Sequence, residues 1–486
     1  MGNLVDNEFM KSLLKTTYIN GVVNNKAQSS PVISKMKKEA WEGGKEVRYS
    51  ANYLNGGNVG SMLNQITESE GELLNKSRVY TYTTPKNAEW VATYGAIESY
   101  FDIDSPEILS SASEKGAYMS ILNEKMSSAF DLIGKTAAVY LYGGKYGVIE
   151  QISAPIDVPK NGDTATVVLS PSAGLKLQPG MRFQVASEGQ ANKATPSSQL
   201  LDPIFIVTAV DDSGDSCIIS YTTNKGNTDS YTTYAGDYIE LFGARSSPAK
   251  GAEAFGYEGL YDILPSVENR TGDIWNQYIS APFRGVDRSA HVSALAGQFV
   301  KAEPNKKADA LIALLKKTMR YGGMDDTLII NDETLDKVFK EMEAKEYLRQ
   351  DVAAASGSRK AATSGYNKFA TAFGDSFIDR VVRDPYVQDG LAYMIHDADL
   401  SFMTISNAGK VFDAVGNDQL GKYEVDTFGD QGIGETPTSS LNVDKLFTIS
   451  NGNHVGNFDY ITRVVAKVYG NFMLKKTAGS GVAVLK

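Results

Sequence analysis

Three histidines, one cysteine and 58 carboxylates are the groups in this 486-residue chain that metal binding, nucleophilic attack or proton transfer would draw on. His291, His396 and His454 are scattered, with no ligand-like spacing, so they read as isolated structural or surface residues rather than a metal site. Cys217 lies in the apolar run CIIS without a neighbouring histidine and reads as a small buried hydrophobe. Gly134-Lys135-Thr136 looks like the end of a phosphate loop, but that motif needs a glycine at 129, where Ala129 stands, and a strand before it. Gly429-Asp430-Gln431-Gly432-Ile433-Gly434 has its glycines in the wrong order for a dinucleotide fingerprint and reads as a loop. Asp211, Asp212 and Asp215 lack the spacing and terminal Glu of a calcium loop, and DDSGD reads as a hairpin turn. No carboxylate pair is singled out by an apolar setting that would raise a pKa. The basic stretches NKSR, KKAD, LKKTMR and LKK read first as solvated surface and second as phosphate-facing. No catalytic, cofactor or metal residue is therefore expected, and a chain of this length would do its work through surfaces.

The totals agree with that expectation. With 42% apolar and 22% charged residues the composition is that of a globular protein with ample chain for a large core. The 45 Gly and 26 Tyr point to many turns and β surfaces. One cysteine excludes an intrachain disulfide and fits a reducing compartment. A formal charge of -10 argues against the whole molecule gripping nucleic acid. There is no run of 18 apolar residues, and MGNLVDNEF lacks the regions of a signal peptide. Asp6 stands where a myristoylation signal wants Ser or Thr, so a cytoplasmic origin is expected.

The elements that would carry such surfaces are organised around residues 105–141. Ser105 suits a helix cap, Pro106 the first turn, and Glu107 the positive end of the dipole. Ile108, Ala112, Met119, Leu122, Met126, Phe130, Ile133 and Ala137 then draw one apolar stripe, while Ser110, Lys115, Glu124 and Ser128 mark a wet face. From Pro106 to Ile133 this helix would be roughly 42 Å long. Before it, a helix is expected around Asn7–Lys15, and KEVRYSANY alternates as a strand does. With the flexible NGGNVGS and the later SRVYTYTTPKNAEWVAT it makes a long two-stranded excursion over about 45–93, which needs a partner surface. Between 150 and 247, short β runs alternate with turn chemistry (PKNGD, PSAG, QPG, DDSGD, NKGNTD) and suggest a small inserted barrel or sandwich. ADALIALLKKTMRYGG predicts a helix with Leu311, Leu315 and Met319 on one face, ended by Gly322 and Gly323. TLIIN predicts a buried strand, and a second helix carries Leu335, Val338, Phe339 and Met342. Strand-helix alternation makes this part α/β, and the chain closes on β character from FDYITRVVAKVYGNFML. The fold class is α+β overall.

This order of elements resembles the major capsid protein of tailed double-stranded-DNA bacteriophages, whose fold is shared with herpesvirus capsids. The resemblance is carried by Phe283-Arg284-Gly285-Val286-Asp287-Arg288-Ser289, by the run from Tyr321 through Gly322 and Gly323 to Asn331, and by the run from Gly374 to Pro385 followed by Gly390-Leu391-Ala392-Tyr393-Met394-Ile395. It covers most of the chain apart from 150–247. It implies an N-terminal arm (1–44), an extended β-hairpin or E-loop (45–93) reaching over an adjacent subunit, and a P-domain with a spine helix (94–149). An inserted β domain (150–247), a P-domain continuation (248–300), an axial A-domain (301–455) and a closing P-domain β segment (456–486) follow. Candidate intersubunit contacts at the E-loop tip are Tyr53, Asn55, Gly56, Gly57 and Asn58. The implied partners are further copies in pentamers and hexamers, portal, scaffolding and auxiliary or decoration proteins, and packaged DNA held non-specifically, with no membrane and no cofactor. The implied location is the virion, assembled in the host bacterial cytoplasm. The arm is too short for an internal scaffolding domain, which assigns scaffolding to a separate protein. Against this stand two rivals: a tail or decoration component, and a carbohydrate-active enzyme suggested by the aromatic richness.

Overall fold

The computed structural model describes residues 30–40, 46–54, 85–104, 128, 131–152, 157–158, 164–186, 204–212, 216–224, 231–232, 237–244, 254–264, 282–323, 327–344, 380–404, 425–427 and 461–485. They form an α+β architecture of three larger sheets and two small two-stranded ones. The first sheet is five-stranded. Its long strand β19 (Ile461–Leu474) pairs antiparallel with β4 (Gly95–Asp104), from Gly95↔Gly470 to Asp104↔Ile461. On its other side lie β17 (Leu400–Thr404) and β18 (Val425–Thr427), and β1 (Lys37–Ala40) adds to β17 in parallel.

The second sheet has six antiparallel strands drawn wholly from one stretch of chain. The order is β5 (Val148–Gln151), β12 (Tyr238–Leu241), β8 (Arg182–Ala186), β9 (Ile204–Asp212), β10 (Cys217–Asn224) and β7 (Thr164–Leu169). Beside it, β6 (Asp157–Val158) pairs with β11 (Tyr231–Thr232). Asp211 and Asp212, read in the sequence as part of a turn, lie in β9 opposite Ile218 and Cys217, while 213–215 lie outside the described residues. Phe183, Phe205 and Tyr221 meet across this sheet at centroid distances of 4.8–5.8 Å.

The third sheet mixes parallel and antiparallel pairs: β13 (Gln298–Lys301), β20 (Gly481–Val484), β16 (Leu391–Ile395), β14 (Thr327–Ile330) and β15 (Arg380–Arg383). The final stretch of the chain thus serves two sheets, β19 in the first and β20 in the third, a division that its composition does not mark.

The helices follow their apolar periods. The short α1 (Pro31–Lys35) is capped by Ser30, whose Oγ accepts from the Ile33 N–H. Helix α2 occupies 131–143 and is buried on nearly every side, including Ile133, Ala137, Ala138 and Leu141. Gly134-Lys135-Thr136 is interior to it, with Thr136 Oγ1 bonding back to Leu132 O at 2.8 Å, so no phosphate loop exists there. The expected start of this helix at Ser105, and the helix expected at Asn7–Lys15, lie outside the described residues. Helix α3 (Pro171–Lys176) packs on the six-stranded sheet.

Helix α4 (Lys307–Arg320) covers β13 and β20 with Ala308, Leu311, Leu314, Leu315 and Thr318. Met319 was expected on the same face but is exposed. The reason is geometric: at 3.6 residues per turn each i+4 step drifts by about 40°, so two steps from Leu311 rotate Met319 roughly 80° away. Thr318 takes the dry position instead, its Oγ1 donating to Leu315 O. The helix stops at Gly322, whose φ of +69° only glycine adopts without strain. Helix α5 (Asp332–Ala344) begins under the Asn331 side chain, which accepts from the Thr334 N–H at 2.8 Å. It buries Leu335, Val338 and Met342, with Phe339 half-buried.

Candidate assembly arm and its base

A two-stranded ribbon, β2 (Glu46–Leu54) against β3 (Lys86–Thr93), is the longer of the two sheets that are hydrogen-bonded as a sheet only to themselves among the described residues. Its alternation gives it two unlike faces. Val47, Tyr49, Ala51 and Tyr53 are half-buried on β2, and Ala88, Trp90 and Ala92 are buried on β3. The other face is wet. Arg48 reaches Glu46 at 2.5 Å and Glu89 at 3.4 Å there, with both ends of each pair solvent-exposed or nearly so. Such surface pairs contribute only about 0–1 kcal/mol.

The dry face is fastened at one place. Tyr49 and Trp90 are directly opposite in the register and stack at 6.1 Å, and Trp90 meets the edge of Phe283 at 6.0 Å. Trp90 is 1% exposed. Phe283 opens a tight turn whose Arg284 and Gly285 have φ of 51° and 80° and whose ends bridge Phe283 to Val286. The turn sends Arg284 inward: Nε binds Glu258 Oε2 at 2.6 Å and Nη2 donates to Phe472 O at 2.7 Å. Arg284 O accepts the Val91 N–H at 2.8 Å, so one residue holds both ribbon and body. Burial works against the Arg284 charge, but the Glu258 carboxylate and the Tyr49 hydroxyl outweigh it and hold its pKa above the usual value. Burial in turn raises the Tyr49 hydroxyl. Arg288 lies over the Phe283 ring at 4.5 Å and donates to Asp262 O at 2.9 Å. Asn471 completes the base, donating to Thr93 O and accepting from Glu258 N. The segment Phe283–Ser289, singled out in the sequence for a resemblance, is thus the socket of the ribbon.

Of the five tip residues expected from the sequence, Tyr53 lies against its own chain, its ring 6.2 Å from His291, which in turn meets Tyr321 at 6.4 Å. Asn55, Gly56, Gly57 and Asn58 lie outside the described residues.

Two of the remaining candidate groups are built into the fold. Cys217 is fully buried, facing Gly174. His291 accepts the Ala294 N–H through Nδ1. His454 and Gly429–Gly434 lie outside the described residues. Among the described residues no cluster of His, Cys, Asp and Glu could hold a metal, and no helix is long and apolar enough to cross a membrane.

Two buried carboxylates escaped the sequence. Asp262 is pushed up to about 6 by burial, although it accepts from the Lys145 and Gly259 N–H groups. A side chain at Gly144 would strike that carboxylate. Asp384 is also raised by burial. It gathers Ser30 Oγ, Tyr142 OH at 2.9 Å and the Tyr386 N–H at 3.0 Å, tying α1 and α2 to the third sheet. Buried Lys176, lowered to about 8 by desolvation, donates to Ile149 O at 3.2 Å. The one signal available was the Asp-Pro step after a β run at 384–385. These groups join segments far apart in sequence.

No family model matches the sequence, and no curated protein matches it. Among solved structures, the chain is similar to one in the capsid asymmetric unit of cyanophage A-1(L), with TM-score 0.47 and 10% identity over 98% of each chain. It is similar to a chain of Mycobacterium phage Bobi with TM-score 0.41 and 11% identity, over 98% of this chain and 97% of that one. For the capsid of Myoviridae phage XM1 the TM-score is 0.35 and the identity 7%, over 96% and 95%.

Proposed function

We propose that this chain is the major capsid protein of a tailed double-stranded-DNA bacteriophage, a structural subunit that assembles with copies of itself into pentamers and hexamers of an icosahedral shell around the genome. The observation that carries the reading is the ribbon: 46–54 and 86–93 form an arm bonded as a sheet only to itself among the described residues, yet fixed at its root by buried Trp90 and Arg284. An arm with a rigid socket and an extended reach is suited to lie over a neighbour. A shell then follows from repeated modest contacts in closed symmetry, where each added contact is effectively intramolecular.

On this reading 45–93 is the E-loop, with Asn55, Gly56, Gly57 and Asn58 contacting the neighbour, and 131–143 is the end of the spine helix. The sheet drawn from 148–241 is an insert on the outer surface, and the third sheet belongs to the axial domain. The partners are further copies, a portal, a scaffold, auxiliary or decoration proteins, and DNA touched without sequence preference. The work is mechanical rather than catalytic, carried out in the virion after assembly in the host cytoplasm.

Sedimentation and negative-stain electron microscopy of the purified full chain, alone and with its scaffold, test the reading. Rings or closed particles are expected. A protein that stays monomeric across salt, pH and concentration, with no particles, overturns it.

A further inference from the structure

The outer strand of a sheet turns one row of backbone N–H and C=O groups away from its neighbour, and a charged side chain there keeps other chains from pairing with it. Among the described residues, the outer strands of the three larger sheets are β1, β4, β18, β5, β7, β13 and β15. All but β7 carry such a charge: Lys37 in β1, Glu98 in β4, Asp426 in β18, Glu150 in β5, Lys301 in β13 and Arg380 in β15. Strand β7 reads Thr164-Ala165-Thr166-Val167-Val168-Leu169, with neither a charge nor a proline. It pairs on one side with β10, from Thr164↔Thr222 to Leu169↔Cys217. Val167 and Leu169 are buried, while Thr164, Thr166 and Val168 are exposed. At 64%, Val168 is the most exposed large apolar side chain among the described residues.

The strand matches a second copy of itself. Two β7 strands set antiparallel about a two-fold axis bring like faces together only when the axis passes through a residue. An axis at Thr166 or at Val167 sets exposed residues against exposed ones and buried against buried. An axis between the two would oppose dry and wet faces. Either permitted axis places Val168 across from a threonine, Thr164 or Thr166. Either also carries across the junction the apolar layer in which Val167 and Leu169 lie opposite Ile219 and Cys217. No charge meets a like charge. A charged peptide would find no opposite charge along this edge, which favours the copy over such a partner.

We propose that β7 is an interface strand, pairing antiparallel with β7 of a second copy so that two six-stranded sheets run on as one. Six residues a side fall well short of the roughly 20–30 a side of a stable interface. The pairing therefore holds weakly by itself and strengthens where other contacts already bring copies together. It goes beyond the shell reading, since a subunit that forms no particles presents the same edge.

Cysteine trapping on the full chain tests it, because oxidation accumulates a weak dimer. Thr166→Cys reports the axis at 166, and Thr166→Cys combined with Val168→Cys reports the axis at 167. At least one of these variants should give disulfide-linked dimers under mild oxidation. The yield should be about tenfold above that of Thr208→Cys, which is exposed in the interior strand β9. Native Cys217 is buried. In a second measurement, amide exchange at 165–169 should slow as concentration rises. Thr166→Lys should abolish that slowing, while Ile219 in the neighbouring strand stays unchanged and reports an intact fold. Particle formation is scored separately, so failure of this pairing and failure of the shell reading are told apart. Protection at 165–169 that is independent of concentration would give the edge to the chain's own polypeptide and overturn the proposal. Absence of dimers from both cysteine variants, or an equal yield from Thr208→Cys, also overturns it.

Discussion

Replacing Trp90 with alanine should loosen the arm while the rest of the subunit stays folded. Trp90 is 1% exposed, stacked on Tyr49 and edge-on to Phe283. Truncating a buried tryptophan costs about 3–5 kcal/mol, and the loss of two ring contacts favours the upper half of that range. What remains at the root is the Val91–Arg284 backbone bond and the Asn471 contact with Thr93, each contributing roughly 1 kcal/mol. With each 1.4 kcal/mol worth a factor of ten, local opening of the ribbon should rise by about 10³-fold to a few thousandfold. Amide exchange resolved by residue is the assay. Tyr49 and Ala51 should exchange faster by that factor, while Leu391–Ile395, buried in the third sheet, should not change. Trp90→Phe should recover much of the protection. Equal acceleration in both regions would refute the reasoning, because Trp90 would then support the whole subunit rather than the socket. No acceleration in either would show that the ribbon is held elsewhere.

Deleting Asn55–Ser61 should leave a folded subunit that forms few or no particles, read by circular dichroism beside electron microscopy; normal shells would remove the clamp role from the arm. Asp262 predicts a pH dependence. Its folded pKa of about 6 lies above an ordinary carboxylate, so the folded state binds more protons between about pH 4 and 6 and stability should fall as pH rises through that window. The cost of the charge above pH 6 is up to about 3 kcal/mol, and Asp262→Asn should flatten this part of the denaturation profile; an unchanged slope contradicts the assignment. Tyr142→Phe removes a donor from Asp384 and should destabilise by about 1–3 kcal/mol, measured by urea denaturation. Combined with Ser30→Ala, it should be non-additive, since both hydroxyls serve one oxygen.

What the sequence made legible was local. The alternation of KEVRYSANY is the ribbon's two faces, and Gly322 stops a helix as its chemistry requires, whereas PSAG, expected as a turn, forms helix α3 because Pro171 suits a first helical position. Less legible was whatever depends on partners far along the chain. Ser30 and Asp384 are separated by 354 positions, and neither residue carries a mark of the other. Nothing local to Arg284 marks the contacts it makes once a left-handed turn drives it inward onto Glu258 and Phe472. Met319 failed for a simpler reason, the drift of an i+4 series away from the stripe it started in. The buried carboxylates were missed because their apolar surroundings come from other segments, so no local window shows them.

The pairing of strands has a consequence for the order in which the subunit is made. The six-stranded sheet has its first and last strands, β5 and β12, side by side, and all its strands have been synthesised by residue 241. It can close on the ribosome while β13 to β20 are still to come. The other two larger sheets cannot. β4 waits for β19, β1 waits for β17, and β13 waits for β20 near the last residue. Loop closure over such separations is slow, so completion of the body is deferred until β17, β19 and β20 have been made. A prematurely released chain would carry a finished module on an unfinished body and lack Asn471 and Phe472 from the arm's socket. Such a chain should be selected against by its own incompleteness before it could enter an assembly.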